Sequence, residues 1–189
     1  MIFPPRPIEL LHILLGEVIR PGDTVIDATA GNGYDTVFLA KAVGPDGRVI
    51  AIDIQKEAIR STADRLRNQE LHDRVELHQI SHVALREIAS DESVSAIVFN
   101  LGYLPGADHA VITESETTLE ALTISISLLK VGGAVAVICY PGHVGGDSEA
   151  TAVEAFFTKL VNFKTAKYAM IPTKKDSPFL LVASKKALG

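Results

Sequence analysis

The stretch Val25-Ile26-Asp27-Ala28-Thr29-Ala30-Gly31-Asn32-Gly33-Tyr34 constrains this chain more than any other. A buried-strand pattern over Thr24 to Ala28 runs directly into a glycine pair and then into a helical pattern. Glycine in such a turn lets the backbone fold tightly and come close to a ligand. A second apolar run, Val49-Ile50-Ala51-Ile52, ends in Asp53 about twenty residues on. A carboxylate at a strand tip can accept two hydrogen bonds from the cis-diol of a ribose. The two features predict a nucleoside cofactor lying across the carboxyl ends of parallel strands.

The residues around the glycines narrow the choice of nucleoside. A dinucleotide site uses G-x-G-x-x-G, with a pyrophosphate on the helix N-terminus. Here Thr36 stands at the third glycine position, and Asp35 brings negative charge to the place a pyrophosphate would occupy. Asp27 adds another acid at the loop mouth. Acids repel a diphosphate and attract an ammonium or a sulfonium. S-adenosylmethionine (SAM) is therefore favoured over NAD(P), which stands as the competing reading.

Strand and helix patterns alternate along the rest of the chain. A helix fits Ile8 to Ile19, and strands fit Thr24–Ala28, Arg48–Asp53, Arg74–Gln79, Ala96–Asn100 and Ala134–Tyr140. Helices fit about Tyr34–Val43, Lys56–Gln69, the stretch ending at Leu129, and Ser148–Leu160, with a short one after His82. Thr113 is a candidate cap for the helix ending at Leu129. The last two strands, near Thr165–Met170 and Phe179–Ser184, straddle a turn at Pro172–Asp176 and have no helix between them. So short a link joins antiparallel neighbours. The expectation is a single α/β domain over residues 1–189: a Rossmann-like, seven-stranded, mostly parallel sheet with an antiparallel last strand and helices on both faces. The N-terminal helix lies at about 8–19 and the core at 24–185.

Composition limits the function classes. The single cysteine, Cys139, excludes an internal disulfide and a multi-cysteine zinc site. No apolar run reaches the length of a bilayer span, and His12 interrupts the run from Leu10 to Leu15. A soluble, cytoplasmic protein is expected. Net charge is −5, but residues 159–189 carry seven lysines against Asp176, a balance of +6, which leaves −11 on the remainder. A polyanion-facing edge and a solvated lysine edge that discourages strand pairing both fit this asymmetry.

Four segments, "DATAGNGYDTVFLA", "AIDIQ", "FNLGYLPGADH" and "CYPGHVGGDSEA", resemble the small bacterial proteins long labelled ribosomal RNA methylases. The resemblance runs from about Pro7 to Val182, and the last two segments are the specific ones. That family is understood as SAM-dependent methyltransferases of the tRNA wobble uridine. The resemblance therefore implies conversion of 5-aminomethyl-2-thiouridine to 5-methylaminomethyl-2-thiouridine, with SAM as cofactor and the tRNA anticodon loop as partner. A small-molecule methyltransferase and an rRNA methyltransferase are the alternatives. A homodimer is expected, because one small chain offers little surface to an anticodon loop.

Individual residues take roles in this scheme. Asp27, Ala28 and the backbone of Ala30, Gly31, Asn32 and Gly33 are expected to hold the methionine part of SAM. The Asn32 amide offers a donor and an acceptor; its alternative is a turn residue with positive φ. Asp53 is expected at the ribose, with Ile54 and Gln55 bordering the adenine; a helix N-cap is the other role open to Asp53. Ser81 and His82, at the end of the third strand, are expected near the adenine, or His82 stands in solvent at a helix start. Asn100 and Tyr103 lie where amino-group methyltransferases carry N-P-P-Y, with leucine and glycine replacing the prolines. The Asn100 carbonyl could aim an amine at the methyl group, or the residue could simply cap its strand. Tyr103 could stack on the base. Asp108, His109 and His143 are the candidate proton acceptors, since each follows a strand at its carboxyl end. Methyl transfer to nitrogen needs no metal, and none is expected. The glycine-rich stretch from Tyr140 to Glu149 reads as a lid entering a helix, with Asp147 or Ser148 as its cap.

Overall fold

A computed structural model describes residues 3–101, 115–142, 145–171 and 177–187. It contains seven strands: β1 (Thr24–Asp27), β2 (Arg48–Ile52), β3 (Val75–His78), β4 (Val94–Asn100), β5 (Leu129–Cys139), β6 (Phe163–Ala169) and β7 (Phe179–Lys185). Five α-helices accompany them: α1 (Pro7–Val18), α2 (Tyr34–Val43), α3 (Lys56–Asn68), α4 (Ser115–Leu128) and α5 (Gly146–Thr158). Short 3-10 helices occupy His72–Arg74 and His82–Glu87.

The seven strands form one sheet in the order β3-β2-β1-β4-β5-β7-β6. Strands β1 to β5 pair in parallel, and β7 pairs antiparallel with both β5 and β6. The strand order reverses between β1 and β4, so a crevice opens there at the carboxyl ends.

Alternation along each strand sends side chains to two different cores. Val25, Val49, Ala51, Ala96, Val98, Ala134 and Ala136 face one side, with Leu11 and Leu15 of α1, Leu39 and Val43 of α2 and Leu66 of α3. Ile26, Ile50, Ile52, Ile97, Phe99, Val135 and Val137 face the other, with Leu85, Leu122 and Leu128 and with Val153 and Phe157 of α5. Four alanines on the first side leave room for helix backbones, whereas branched and aromatic side chains fill the second. Helices thus cover both faces, as the sequence pattern implies. Cys139 ends β5 inside the second core, and burial pushes its thiol up to about 12. Among the described residues no helix is long and apolar enough to cross a membrane.

Several boundaries differ from the sequence reading. Strands β4 and β5 start earlier, at Val94 and Leu129, because Val94 pairs with Leu129 before the register shifts and Ala96 pairs with Ala134. Gly132 has φ +80°, and a side chain on Gly133 would meet three backbone oxygens at 2.9–3.0 Å, so this irregularity needs both glycines. Helix α5 starts at Gly146, with Gly145 (φ +84°) as its N-cap; Asp147 and Ser148 lie inside its first turn and do not cap it. Strand β3 ends at His78, so Ser81 and His82 belong to the following 3-10 turn and not to the strand. The candidate cap Thr113 and the turn at Pro172–Asp176 lie outside the described residues.

Candidate active site

The glycine loop after β1 is fastened from three directions. Ala28 N donates to Val98 O of β4, and Ala30 N donates to Ile52 O of β2. Gly31 N donates to Asp53 Oδ2 at 3.0 Å, and Gly31 O accepts from Thr62 Oγ1 of α3. Gly31 and Gly33 have φ of +52° and +78°. Asn32 is not left-handed; the glycines on either side supply the positive φ, so the turn-residue reading of Asn32 fails in that form. Its Oδ1 accepts from Ser61 and its backbone carbonyl from Arg65 Nε, both on α3. The close approach at Gly33 is internal: a Cβ there would sit 2.9 Å from the Thr62 Cα. Tyr34, 65% exposed, carries the Arg65 guanidinium 3.7 Å over its ring.

Asp27, at the end of β1, is fully buried. Its carboxylate accepts from Thr36 Oγ1 at 2.6 Å and from Thr29 N at 3.3 Å. Burial first, and then the negative charge of Asp35, push it up to about 7. A buried acid whose charged neighbours are acids is a site that a cationic group would complete.

Asp53 stands half-buried beyond β2. It does not cap α3, whose N-cap is Gln55. Its two oxygens accept from Gly31 N and Gln55 N, and a carboxylate holding two such bonds keeps acceptor capacity for hydroxyls. Ile54 beside it is 50% exposed.

Ser81 caps the 3-10 turn through Val83 N, and His82 is buried rather than in solvent. Desolvation holds the His82 imidazole below its ordinary range, opposed by a hydrogen bond to the Thr117 backbone and by the charges of Asp53 and Glu120. Its ring meets Phe99 edge-on at 6.0 Å, and its Nε2 is buried with no hydrogen-bond partner. A buried polar atom in that state is one that a ligand donor would satisfy.

Asn100 ends β4 across the crevice from Asp27. Its N–H donates to Thr29 Oγ1 at 2.7 Å, and its Nδ2 donates to Asp35 Oδ2 at 3.1 Å. Burial raises the Tyr140 phenol, opposed by a hydrogen bond with the Asn100 side chain. The structure thus brings Asp27, Ala28, Ala30, Gly31, Gly33, Asp53 and Asn100 to one end of the sheet around β1, β2 and β4. Tyr103, Asp108, His109 and His143 lie outside the described residues.

The sequence reading missed four contributors: His12, Thr29, Thr36 and Tyr140. His12 had a signal, as a polar residue in the middle of an otherwise apolar helix stripe. Thr29 in the loop and Thr36 in the first turn of α2 flank the glycine pair and look like ordinary polar residues until Asp27 is seen to need donors.

Comparison with known proteins places the chain among methyltransferases. The family model described as "Putative rRNA methylase" matches residues 49–184. A tRNA (mnm(5)s(2)U34)-methyltransferase, chloroplastic, of Arabidopsis thaliana is 43% identical over 157 residues, which cover 78% of this chain and 57% of that protein. The chain therefore spans less than two thirds of that relative's length. A crystal structure from Clostridium thermocellum, with the same description as the family, superposes with TM-score 0.93 at 36% identity, covering 97% of this chain and 100% of that one. A Streptococcus mutans "putative methyltransferase" in complex with SAH superposes with TM-score 0.88 at 36% identity, covering 98% and 99%.

Proposed function

The chain belongs to the rRNA methylase family, and on that premise we propose that it is a SAM-dependent N-methyltransferase of tRNA. Its reaction converts 5-aminomethyl-2-thiouridine to 5-methylaminomethyl-2-thiouridine at the wobble position, the activity that the Arabidopsis relative's name describes. The observation that carries the reading is the meeting of Asp27, Asp53 and Asn100 at the switch point between β1 and β4.

The donor set fits SAM. Asp27, pushed up to about 7 beside Asp35, favours a positive ligand; Asp53 suits ribose hydroxyls; and the orphaned His82 Nε2 can accept from an exocyclic amine. When bound, SAM supplies a methyl group made electrophilic by its sulfonium. The chain's own part is to hold and to orient. Asn100 presents an amide to an incoming amine, and the fastened glycine loop sets the distance between the two partners. The amine must arrive neutral. A group that removes its proton belongs among Asp108, His109 and His143, which follow β4 and β5 in sequence.

The lysines of residues 159–189 support a polyanionic substrate, and a homodimer would supply further surface for an anticodon loop. The acidic balance elsewhere favours a second reading, a small-molecule amine as acceptor. Methyl incorporation from labelled SAM into total tRNA lacking this modification separates the two. Appearance of 5-methylaminomethyl-2-thiouridine by nucleoside mass spectrometry supports the tRNA reading. Persistence of the unmethylated nucleoside with purified, folded protein overturns it.

A further inference from the structure

Helix α1 lies outside the stretch that the family model matches, yet it sends one side chain to the crevice. His12 Nε2 is 2.7 Å from Asp35 Oδ1, and the imidazole lies flat on Phe38, with ring centroids 4.1 Å apart and planes 9° from parallel. The second oxygen of Asp35 receives Asn100 Nδ2. A side chain from α1 is therefore linked through one from α2 to the end of β4.

The chemistry of Asp35 sets the orientation of both neighbours. An ionised carboxylate only accepts hydrogen bonds. Asn100 must turn its NH2 toward Asp35, which points its carbonyl oxygen the other way. His12 must carry its proton on Nε2. The Asn100 backbone is held as well: its own N–H donates to Thr29 Oγ1, and the next residue, Leu101, donates to Ile138 O. Main chain and side chain of Asn100 are thus both fixed.

The supporting helix is anchored in turn. Arg6 and Glu9 close its first turn reciprocally, and Tyr168 of β6 donates to Pro5 O just ahead of it at 2.7 Å. Stability alone gives no reason for this arrangement. Asp35 is only 7% exposed and lies close enough to the buried Asp27 to repel it. An apolar residue there would avoid that repulsion.

We propose that Asp35 and His12 are positioning residues for the reaction: Asp35 decides which end of the Asn100 amide faces the crevice, and His12 holds Asp35 in place. Only the identity of the nitrogen that Asn100 receives rests on the N-methyltransferase reading.

The test uses the full chain and has one arm that needs no cofactor. Nitrogen-15 spectra of the ligand-free protein observe the Asn100 side-chain NH2, assigned by its loss in Asn100→Asp. In the wild type this pair is displaced and exchanges slowly. Asp35→Ala shifts it toward the position of a free amide, with the hydrogen bond to the Tyr140 side chain remaining, and Asp35→Asn, whose carbonyl still accepts, preserves it. In the activity arm, at saturating SAM, Asp35→Ala lowers kcat by about 100-fold, and Asp35→Asn recovers at least about tenfold of that. His12→Phe keeps a ring on Phe38 but loses the donor. It lowers kcat about tenfold and leaves SAH affinity by calorimetry within about twofold. His12→Gln, which can still donate, restores the rate. The proposal is overturned if the Asn100 signal is the same in wild type and Asp35→Ala. It is equally overturned if Asp35→Asn is as slow as Asp35→Ala, since charge and not orientation would then matter. A wild type that transfers no methyl group to tRNA defeats the tRNA reading instead, and the spectra still decide the orientation.

Discussion

The mouth of the β1 loop and the outer edge at β6 belong to one sheet and are built on opposite terms. At the mouth, charged groups are buried or half-buried and each is held by named partners: Asp27 by Thr36 and Thr29, Asp53 by Gly31 and Gln55, Asp35 by His12 and Asn100. At the edge, most side chains of β6 are exposed. Lys167 bonds Glu154 and lies over Phe179, Lys185 bonds Glu92, and Lys164 is exposed on the strand. A lysine-bearing edge resists pairing with another strand. The contrast teaches where sequence is replaceable. Charge at the mouth is tied to geometry, whereas charge at the edge acts through its total.

Substitutions can break or sharpen that contrast. The largest effect is expected for Gly33→Ala. It forces a side chain into a left-handed turn and against the Thr62 backbone; it should lower unfolding free energy by about 3 kcal/mol. Urea denaturation measures it, and a loss under half that would show that the loop and α3 separate easily. Next is Asn100→Ala, with kcat expected to fall about 100-fold through lost orientation of the amine. A rate within a factor of three of wild type would remove Asn100 from the mechanism.

Asp27→Asn comes third and acts in two directions. The folded-state pKa of Asp27, about 7, is raised above its ordinary 3.8. Its contribution therefore favours the folded state below about pH 4 and is lost as pH rises toward 7. The amide variant does not pay that penalty, so the ligand-free protein should gain about 1–2 kcal/mol at pH 8 and much less at pH 4. It should also bind SAH more weakly. An equal stability difference at both pH values would refute the burial argument. The smallest effect belongs to the edge. Lys164→Ala should change stability by under about 0.5 kcal/mol. It should also reduce the log–log salt slope of tRNA binding by about 1. An unchanged slope would move the RNA away from β6.

Much of this was legible in the residues. The alternation of strand and helix patterns carries the sheet and its two faces, because burial on both sides leaves a continuous apolar run in each parallel strand. The carboxyl-end acids follow from strand tips. What was hidden depended on partners distant in sequence. That Asp53 binds Gly31 instead of capping α3, and that His82 is buried against Phe99, are facts of tertiary packing. The early start of β5 was masked by Gly132 and Gly133, which look like a turn ahead of a strand and are an irregularity within one. His12 was read only as an interruption of an apolar helix, since nothing in α1 announces an aspartate on α2.

Cys139 offers a practical handle. It is the chain's only sulfhydryl, packed at the end of β5 with its deprotonated form suppressed. Alkylating reagents at neutral pH should therefore ignore the native molecule and mark it only when the centre of the sheet opens. The rate of labelling then serves as a clock for that opening, and addition of SAH should slow it by as much as the ligand tightens the fold.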